Sequence, residues 1–258
     1  MLNYLKSELY RVFHSSGLYL FIGICSLFAL SFNCILWAFD STTTNFPWAT
    51  IKYSFSTLDT NMYVVLFLTA TLTSIIVVDE FKLRTLTNSV AFGISRTQIY
   101  ISKLLITLLA CFLSLFIIES VFIGSGYLLL DTDNSHALRN LLNATVACIP
   151  SFIAGCTAFI TMYFISGSIA SAIWNWIGFI VGIPMITSVL GLKFQFFEWL
   201  DSWLIFSVTA SYTFDEQSSS LVYLWSSKEG MLHCLLAGFL GTIVFLIVGI
   251  LKFRKKAL

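Results

Sequence analysis

Charged residues are scarce in this sequence. Only 10% of the 258 residues are Asp, Glu, Lys or Arg, whereas a soluble domain carries about 25%. Hydrophobic residues make up 58% of the chain, which leaves too little polar surface for a soluble fold of this size. The net charge of +1 also gives no reason to expect a nucleic acid as partner. We therefore expect an integral membrane protein that forms a single transmembrane domain over residues 1–258.

Catalytic and metal-binding motifs are missing as well. The chain has no GxxxxGKS/T phosphate loop, no HExxH, no GxSxG and no GxGxxG motif. Its three histidines and six cysteines are scattered, with no CxxC pair and no grouping at metal-ligand spacing. We predict no catalytic residue, no metal site and no cofactor bound by this chain, and in particular no ATPase site of its own.

Six long apolar runs account for most of the sequence. A helix needs about 20 apolar residues to cross a hydrocarbon core of about 30 Å, and the runs are close to that length. None shows the period-2 alternation of a membrane β-strand. The predicted fold class is therefore an all-α integral membrane protein with six transmembrane helices. These cover residues 17–39, 62–78, 104–130, 144–165, 169–190 and 231–251.

Lys and Arg accumulate on one side of this topology. If the N-terminus is cytoplasmic, the inside segments contain Lys6, Arg11, Lys82, Arg84, Arg96, Lys103, Lys252, Arg254, Lys255 and Lys256. The outside segments then contain only Lys52, Arg139, Lys193 and Lys228. Because cytoplasmic loops are enriched in basic residues, we predict that both termini are cytoplasmic and that the protein lies in the plasma membrane.

Two segments outside the spans have an amphipathic pattern. In residues 1–16 the apolar side chains recur at helical spacing, which predicts an interfacial helix; a frayed polar terminus is the alternative. Residues 191–230 form a long outer connection that mixes Phe and Trp with acidic residues. This mixture favours one or two re-entrant or interfacial helices, because aromatic side chains prefer the membrane interface.

Two polar residues lie deep within the predicted spans. Glu119 is about 22 Å from the cytoplasmic end of the third span, where an ionisable group costs about 2.5–3.5 kcal/mol on insertion scales. It could face a translocation path, pair with a neighbouring helix, or stay protonated or snorkel near the outer interface. Asn175, in the fifth span, could likewise line a path or only strengthen helix packing. Both are candidate translocation-path residues.

The inside segment at residues 79–103 is too long for a simple turn. Leu83, Leu86, Val90 and Ile94 have near-helical spacing, with charged residues at both ends of the segment. This pattern favours a short helix parallel to the membrane that presents a face to a soluble partner. A solvated loop with ordinary inside-positive charge is the alternative.

The same loop carries an ordered series of short motifs. They are Asp79-Glu80-Phe81-Lys82, Thr85-Leu86, Gly93-Ile94-Ser95-Arg96, Ile99-Tyr100 and Ser102-Lys103-Leu104. In this order they resemble the first cytoplasmic loop of the type 2 ABC exporter permeases. Arg84 stands where that family commonly has glycine. The N-terminal helix, the six spans and the outer connection are also similar to that family, so the resemblance extends over nearly the whole chain.

The resemblance implies specific partners and roles. Permeases of this kind form homodimers or pseudo-dimers with two separately encoded ATPase subunits, which hold the ATP and Mg. The loop acts as a coupling helix in a groove of the ATPase. The ATPase-coupling residues implied here are Asp79, Glu80, Phe81, Arg84, Thr85, Leu86, Gly93 and Arg96.

The implied function is ATP-driven export. Small bacterial permeases of this kind export antimicrobial or cytolytic peptides, drugs or lipids, or give immunity against such peptides. We therefore expect a permease subunit for an amphipathic or hydrophobic substrate, with a peptide as the first expectation. A membrane sensor or assembly subunit that transports nothing is one alternative. An intramembrane enzyme is another, although the chain offers no acid and base pair for it.

Overall fold

The computed structural model describes residues 2–43, 46–77, 90–91, 93–132, 136–215 and 220–255. Helices make up nearly all of this part of the chain. In chain order they are α1 (Leu2–Phe13), α2 (Ser16–Thr42), α3 (Ile51–Thr60), α4 (Tyr63–Val77), α5 (Arg96–Leu129), α6 (Ala137–Ser166), α7 (Ile169–Ile177), α8 (Ile183–Gly191), α9 (Gln195–Asp201), α10 (Ile205–Ala210) and α11 (Lys228–Lys255).

Within the described ranges, five helical segments are long and apolar enough to cross a membrane. They are α2, α5, α6, the continuous α7–α8 segment, and α11. The predicted helix at residues 62–78 corresponds to α4, which has 15 residues and is only about 22 Å long. Helices α3 and α4 pass the same test together, but they are bent by 66° where they meet. The described part of the chain therefore has five candidate spans, or six if the bent pair forms one.

Helix α6 lies at the centre of the bundle. Of its apolar window 78% is buried inside the protein, compared with 11% for α2. Its buried face is rich in Ala, Gly, Ser, Thr and Cys, and such small residues allow helix backbones to approach closely. Helix α11 comes closest, because a β-carbon at Gly238 would overlap the backbone of Pro150 and Ser151.

Polar side chains join these apolar helices. The hydroxyls of Tyr100 on α5 and Thr161 on α6 lie 2.9 Å apart, and the Thr161 hydroxyl lies 2.9 Å from the Phe245 carbonyl on α11. From α7, the Trp176 indole donates to the Gly155 carbonyl of α6 at 2.9 Å. Each bond satisfies a buried polar group and fixes one helix against the next.

The buried side-chain amide of Asn33 on α2 links this helix to α3 and α5. Asn33 donates to the Phe122 carbonyl at 3.0 Å and to the Ser125 hydroxyl at 2.7 Å. Its side-chain carbonyl accepts from Ser54 at 2.7 Å. The side chain of Asn33 is fully buried, so this network holds the bent α3–α4 pair against the long helices.

A π-helix at Gly178–Gly182 joins α7 to α8. Its hydrogen bonds reach one residue further back than in an α-helix, as in the bond from Ile183 N to the Gly178 carbonyl. Pro184 follows directly, and proline cannot donate a backbone hydrogen bond. The proline, which lacks an N–H donor, and the wider π-helical turn occur together here. Both are common causes of an irregular helix.

The outer connection contains the two predicted short helices, α9 and α10. Asp201 anchors this connection by accepting hydrogen bonds from Thr187, Ser188 and Ser207 at 2.7–2.9 Å. It also contains an antiparallel hairpin of β1 (Tyr212–Asp215) and β2 (Ser220–Tyr223), which the all-α prediction left out. Aromatic and β-branched residues on both sides of a polar stretch were the signal for it.

The close approach of α11 to α6 predicts a stability effect. Gly238→Ala places a methyl group against the α6 backbone, and overpacking of this kind costs about 1–3 kcal/mol. We expect its thermal unfolding midpoint in detergent to fall by about 4 °C or more. Gly124→Ala is the matched control, because nothing lies within 4 Å of that position. Equal midpoints for the two variants would contradict the packing described here.

Candidate functional site

The predicted coupling loop lies between α4 and α5. Two of its predicted coupling residues, Gly93 and Arg96, belong to the described part of the chain. The others lie outside the described residues, namely Asp79, Glu80, Phe81, Arg84, Thr85 and Leu86. The described part of the site is therefore the base of the loop, where the loop joins the helices.

A glycine turn and a capping box begin α5. Gly93 has a φ of 83°, in the left-handed region that favours glycine, and its N–H bonds the Val90 carbonyl at 3.0 Å. Two residues later, the Ser95 hydroxyl accepts a hydrogen bond from the backbone N–H of Gln98 at 3.3 Å. In return, the side-chain carbonyl of Gln98 accepts one from the backbone N–H of Ser95 at 3.2 Å. This reciprocal pair fixes the first turn of α5, so the loop ends sharply before Arg96.

Arg96 connects the loop to the last helix. Its Nη1 atom donates to the backbone carbonyl of Arg254 at 3.1 Å. The last carbonyls of a helix have no partner within the helix and carry partial negative charge, which a guanidinium satisfies. The C-terminal end of α11 is thus held against the first turn of α5.

Helix α1 holds both helices that flank the loop. Arg11 donates to the carbonyl of Ile76, near the end of α4, at 3.1 Å. Glu8 accepts from Arg11 at 3.1 Å and forms an ion pair with Lys103 of α5. The Lys103 side chain is only 3% exposed, and its ammonium lies 5.8 Å from the centroid of the Tyr4 ring. One short helix therefore contacts the end of α4 and the first turns of α5.

Together these contacts form the loop base, by which we mean Glu8, Arg11, Ile76, Arg96 and Lys103 with the carbonyl of Arg254. The loop base joins α1, α4, α5 and α11 through charged hydrogen bonds. Hydrogen bonds that involve a charged group are stronger than neutral ones, and among the charged side chains of the loop base that of Lys103 is nearly buried. A force applied to the loop would consequently act on four helices at once. This arrangement is suited to transmitting motion.

Sequence reasoning missed the central pair of the loop base. In the sequence Glu8 lies within the predicted N-terminal interfacial helix and Lys103 at the end of the inside segment, and no pattern joins the two. The available signal was a basic residue at the first apolar turn of a span, since Lys at that depth requires a partner or a route to water.

Glu119 lies on α5 beside α6. The Thr145 hydroxyl of α6 donates to its Oε1 atom at 2.7 Å. Glu119 also lines a cavity of about 440 Å³. The Thr145 contact joins α5 to α6, and the role of Glu119 in translocation stays a prediction.

Asn175 lies on the exposed face of α7. Its Nδ2 atom donates to Ser171 at 3.4 Å, and the adjacent Trp174 is 74% exposed. Asn175 does not line the cavity that Glu119 lines, and none of the described hydrogen bonds joins the two residues. The role of Asn175 in translocation also stays a prediction.

Asp59 is a second buried acid and lies outside the six predicted spans. It lies in the last turn of α3 and is 3% exposed, and its Oδ1 atom has no hydrogen-bond partner among the described residues. No three His, Cys, Asp or Glu side chains in the described ranges are grouped as a metal site would require.

The bundle of long apolar helices defines a multi-pass membrane protein. The chain belongs to the ABC-2 transporter family, because the family model described as "ABC-2 family transporter protein" matches residues 4–182. No curated protein and no solved structure matches it. The match confirms the resemblance found in the loop motifs. The chain is the membrane permease of an ABC-2 type transporter and has no ATPase activity, and permeases of this family work with ATPase subunits.

The Glu8–Lys103 pair predicts how firmly α1 is held. In Lys103→Met, Glu8 loses its buried partner, and breaking such a pair costs several kcal/mol. We expect backbone amides in α1 to exchange with deuterium at least tenfold faster, while exchange in α6 stays unchanged. Lys52→Met, at an exposed lysine in α3, is the control. Unaltered exchange in Lys103→Met would rule out a holding role for the pair.

Proposed function

We propose that this permease exports an amphipathic or hydrophobic substrate, with an antimicrobial or cytolytic peptide as the first candidate and a drug or lipid as the alternatives. Export of such a peptide could also serve as bacteriocin immunity. The observation that carries the proposal is the loop base, because its bonds connect the predicted ATPase-binding loop to α1, α4, α5 and α11.

The proposed cycle is driven from outside the chain. A pair of ATPase subunits binds ATP and Mg and closes on nucleotide binding. The loop at residues 79–103 rests in a groove of each ATPase, with Glu80 and Arg96 at either end of the contact. Closure moves the loop, and the loop base passes that movement to the helices. The permease then alternates between inward-facing and outward-facing states.

The orientation of the cycle follows from the basic residues. The end of the bundle with the loop also carries Lys6, Lys252 and Lys255, as the positive-inside rule requires of a cytoplasmic end. The opposite end carries α9, where Phe196 and Trp199, with Phe194 directly before the helix, are at least half exposed. Exposed aromatic side chains suit an outer interface at which an amphipathic substrate is released.

A second permease, either a copy of this chain or a paralogue, is proposed to pack on the exposed face of α7. Asn175 presents an amide there, and hydrocarbon offers no hydrogen-bond partner. Gly178 and Gly182 follow with GxxxG spacing, and a β-carbon at Gly178 would meet nothing within 4 Å. Small residues at this spacing allow two membrane helices to approach closely. The translocation path then lies between the two permeases, with Asn175 at its wall.

Charge reversal tests the coupling. We expect Glu80→Arg and Arg96→Glu, reconstituted with the ATPase in proteoliposomes, to lose at least 90% of substrate-stimulated ATP hydrolysis and ATP-dependent transport. Arg139→Glu is the matched control, since Arg139 is an exposed arginine at the opposite end of the bundle. Coupled transport that survives in both loop variants would contradict the proposal. An ATPase that binds the permease without any transport would favour the sensor or assembly role.

Cross-linking tests the second permease. We expect Asn175→Cys to give a covalent dimer with a short bis-maleimide in native membranes, because the proposed interface brings two copies of this position together. The native cysteines are buried or half-buried. Leu109→Cys, an exposed position on α5, is the control and should stay monomeric. Equal dimer yields from the two variants would indicate random collision and refute this interface.

A further inference from the structure

A cavity of about 440 Å³ lies among α2, α4, α5 and α6. Its walls are almost entirely apolar, and its aromatic lining residues are Phe28, Phe112, Phe116, Phe122 and Phe152. Phe28 and Phe116 are 69% and 71% exposed, so the cavity opens sideways between α2 and α5. In a membrane this opening faces lipid, and the volume lies within the range of small-molecule sites, about 300–1,000 Å³.

One charged side chain lines this apolar cavity. This side chain is Glu119. The Thr145 hydroxyl donates a hydrogen bond to its Oε1 atom at 2.7 Å, and no described residue donates to its Oε2 atom. No Lys, Arg or His is found among the described residues that line the cavity. A carboxylate among phenyl rings without a cation is unfavourable, because burying an unpaired charge is costly.

A second carboxylate adds to the same local charge. Asp59 is 3% exposed, and its Oδ1 atom has no hydrogen-bond partner. Its charge and that of Glu119 repel each other. Leu58 and Met62, on either side of Asp59 in sequence, both line the cavity. The region therefore holds two acids, and no described basic side chain pairs with either.

We propose that this cavity binds an organic cation with an apolar body, such as a quaternary ammonium amphiphile that enters sideways from the membrane. The cation pairs with Glu119, and its apolar part packs against the phenylalanines, whose ring faces also attract quaternary ammonium groups. This inference rests on the proposed export function and narrows its substrate class. It assigns the first binding step to a site within one chain, separate from the interface between two permeases.

Direct binding tests the site. The permease alone, in lipid nanodiscs without the ATPase, is titrated with radiolabelled phenyltrimethylammonium, whose charge does not depend on pH. We expect saturable binding of one cation per chain. The uncharged compound of the same shape, tert-butylbenzene, should not compete for the site. Competition by tert-butylbenzene at equal membrane concentration, or no saturable binding, would overturn the proposal in favour of a cavity filled by lipid chains.

Three variants locate the binding. Glu119→Gln should weaken binding of the cation at least tenfold, and Glu198→Gln, at an exposed acid on α9, should leave it unchanged. Ala29→Phe fills the cavity and keeps both acids, so it should also abolish binding. Unchanged affinity in either cavity variant refutes the site. If Glu119→Gln fails to fold, Ala29→Phe and the competition experiment still decide whether the cation binds in this cavity.

The result of these binding experiments can be distinguished from the result of the transport experiments that test the proposed export function. If the cation binds while ATP-dependent transport is absent, the export function fails and the cavity assignment stands. If coupled transport is intact while the cation does not bind, only the cavity assignment fails.

Discussion

Polar groups inside this bundle must find partners within the protein, because hydrocarbon supplies none. Most of the structure follows from that constraint. The Asn33 amide joins α2, α3 and α5, and the Thr161 hydroxyl joins α5, α6 and α11. Asp201 gathers three hydroxyls at the outer connection. Glu119 and Asp59 depart from the pattern, since each keeps an oxygen without a donor among the described residues, and both belong to the region of the lateral cavity.

The same constraint holds in the loop base, at the end of the bundle where α4 and α5 meet the predicted coupling loop. Lys103 is nearly excluded from solvent, so Glu8 must accompany it, and this requirement ties the N-terminal helix α1 to α5. Arg11 and Arg96 satisfy backbone carbonyls near the ends of α4 and α11. The basic residues from which the orientation is predicted thus also form the contacts of the loop base. The predicted topology and the proposed coupling therefore depend on one small set of residues.

Sequence predicted the long helices because apolar length is a local property. The bend between α3 and α4 was missed because the polar residues Asp59, Thr60 and Asn61 interrupt the apolar run, and their burial depends on packing against distant helices. The family match confirmed the resemblance, which the sequence alone could indicate because each short motif lies within one segment. The Glu8–Lys103 pair and the cavity at Glu119 could not be predicted, because both arise from residues far apart in sequence. The hairpin after α10 left a local signal in its Tyr, Thr and Val content.

The packing of α11 on α6 also has a consequence for biosynthesis. Helix α6 is the most buried of the candidate spans, yet its closest neighbour, α11, follows the other candidate spans in the chain. Until α11 is inserted, the Ser151 backbone and the Thr161 side chain of α6 that receive it face lipid or the translocation machinery. A nascent chain truncated before Lys228 would therefore present these polar groups to membrane quality control, and only a chain that includes α11 would conceal them.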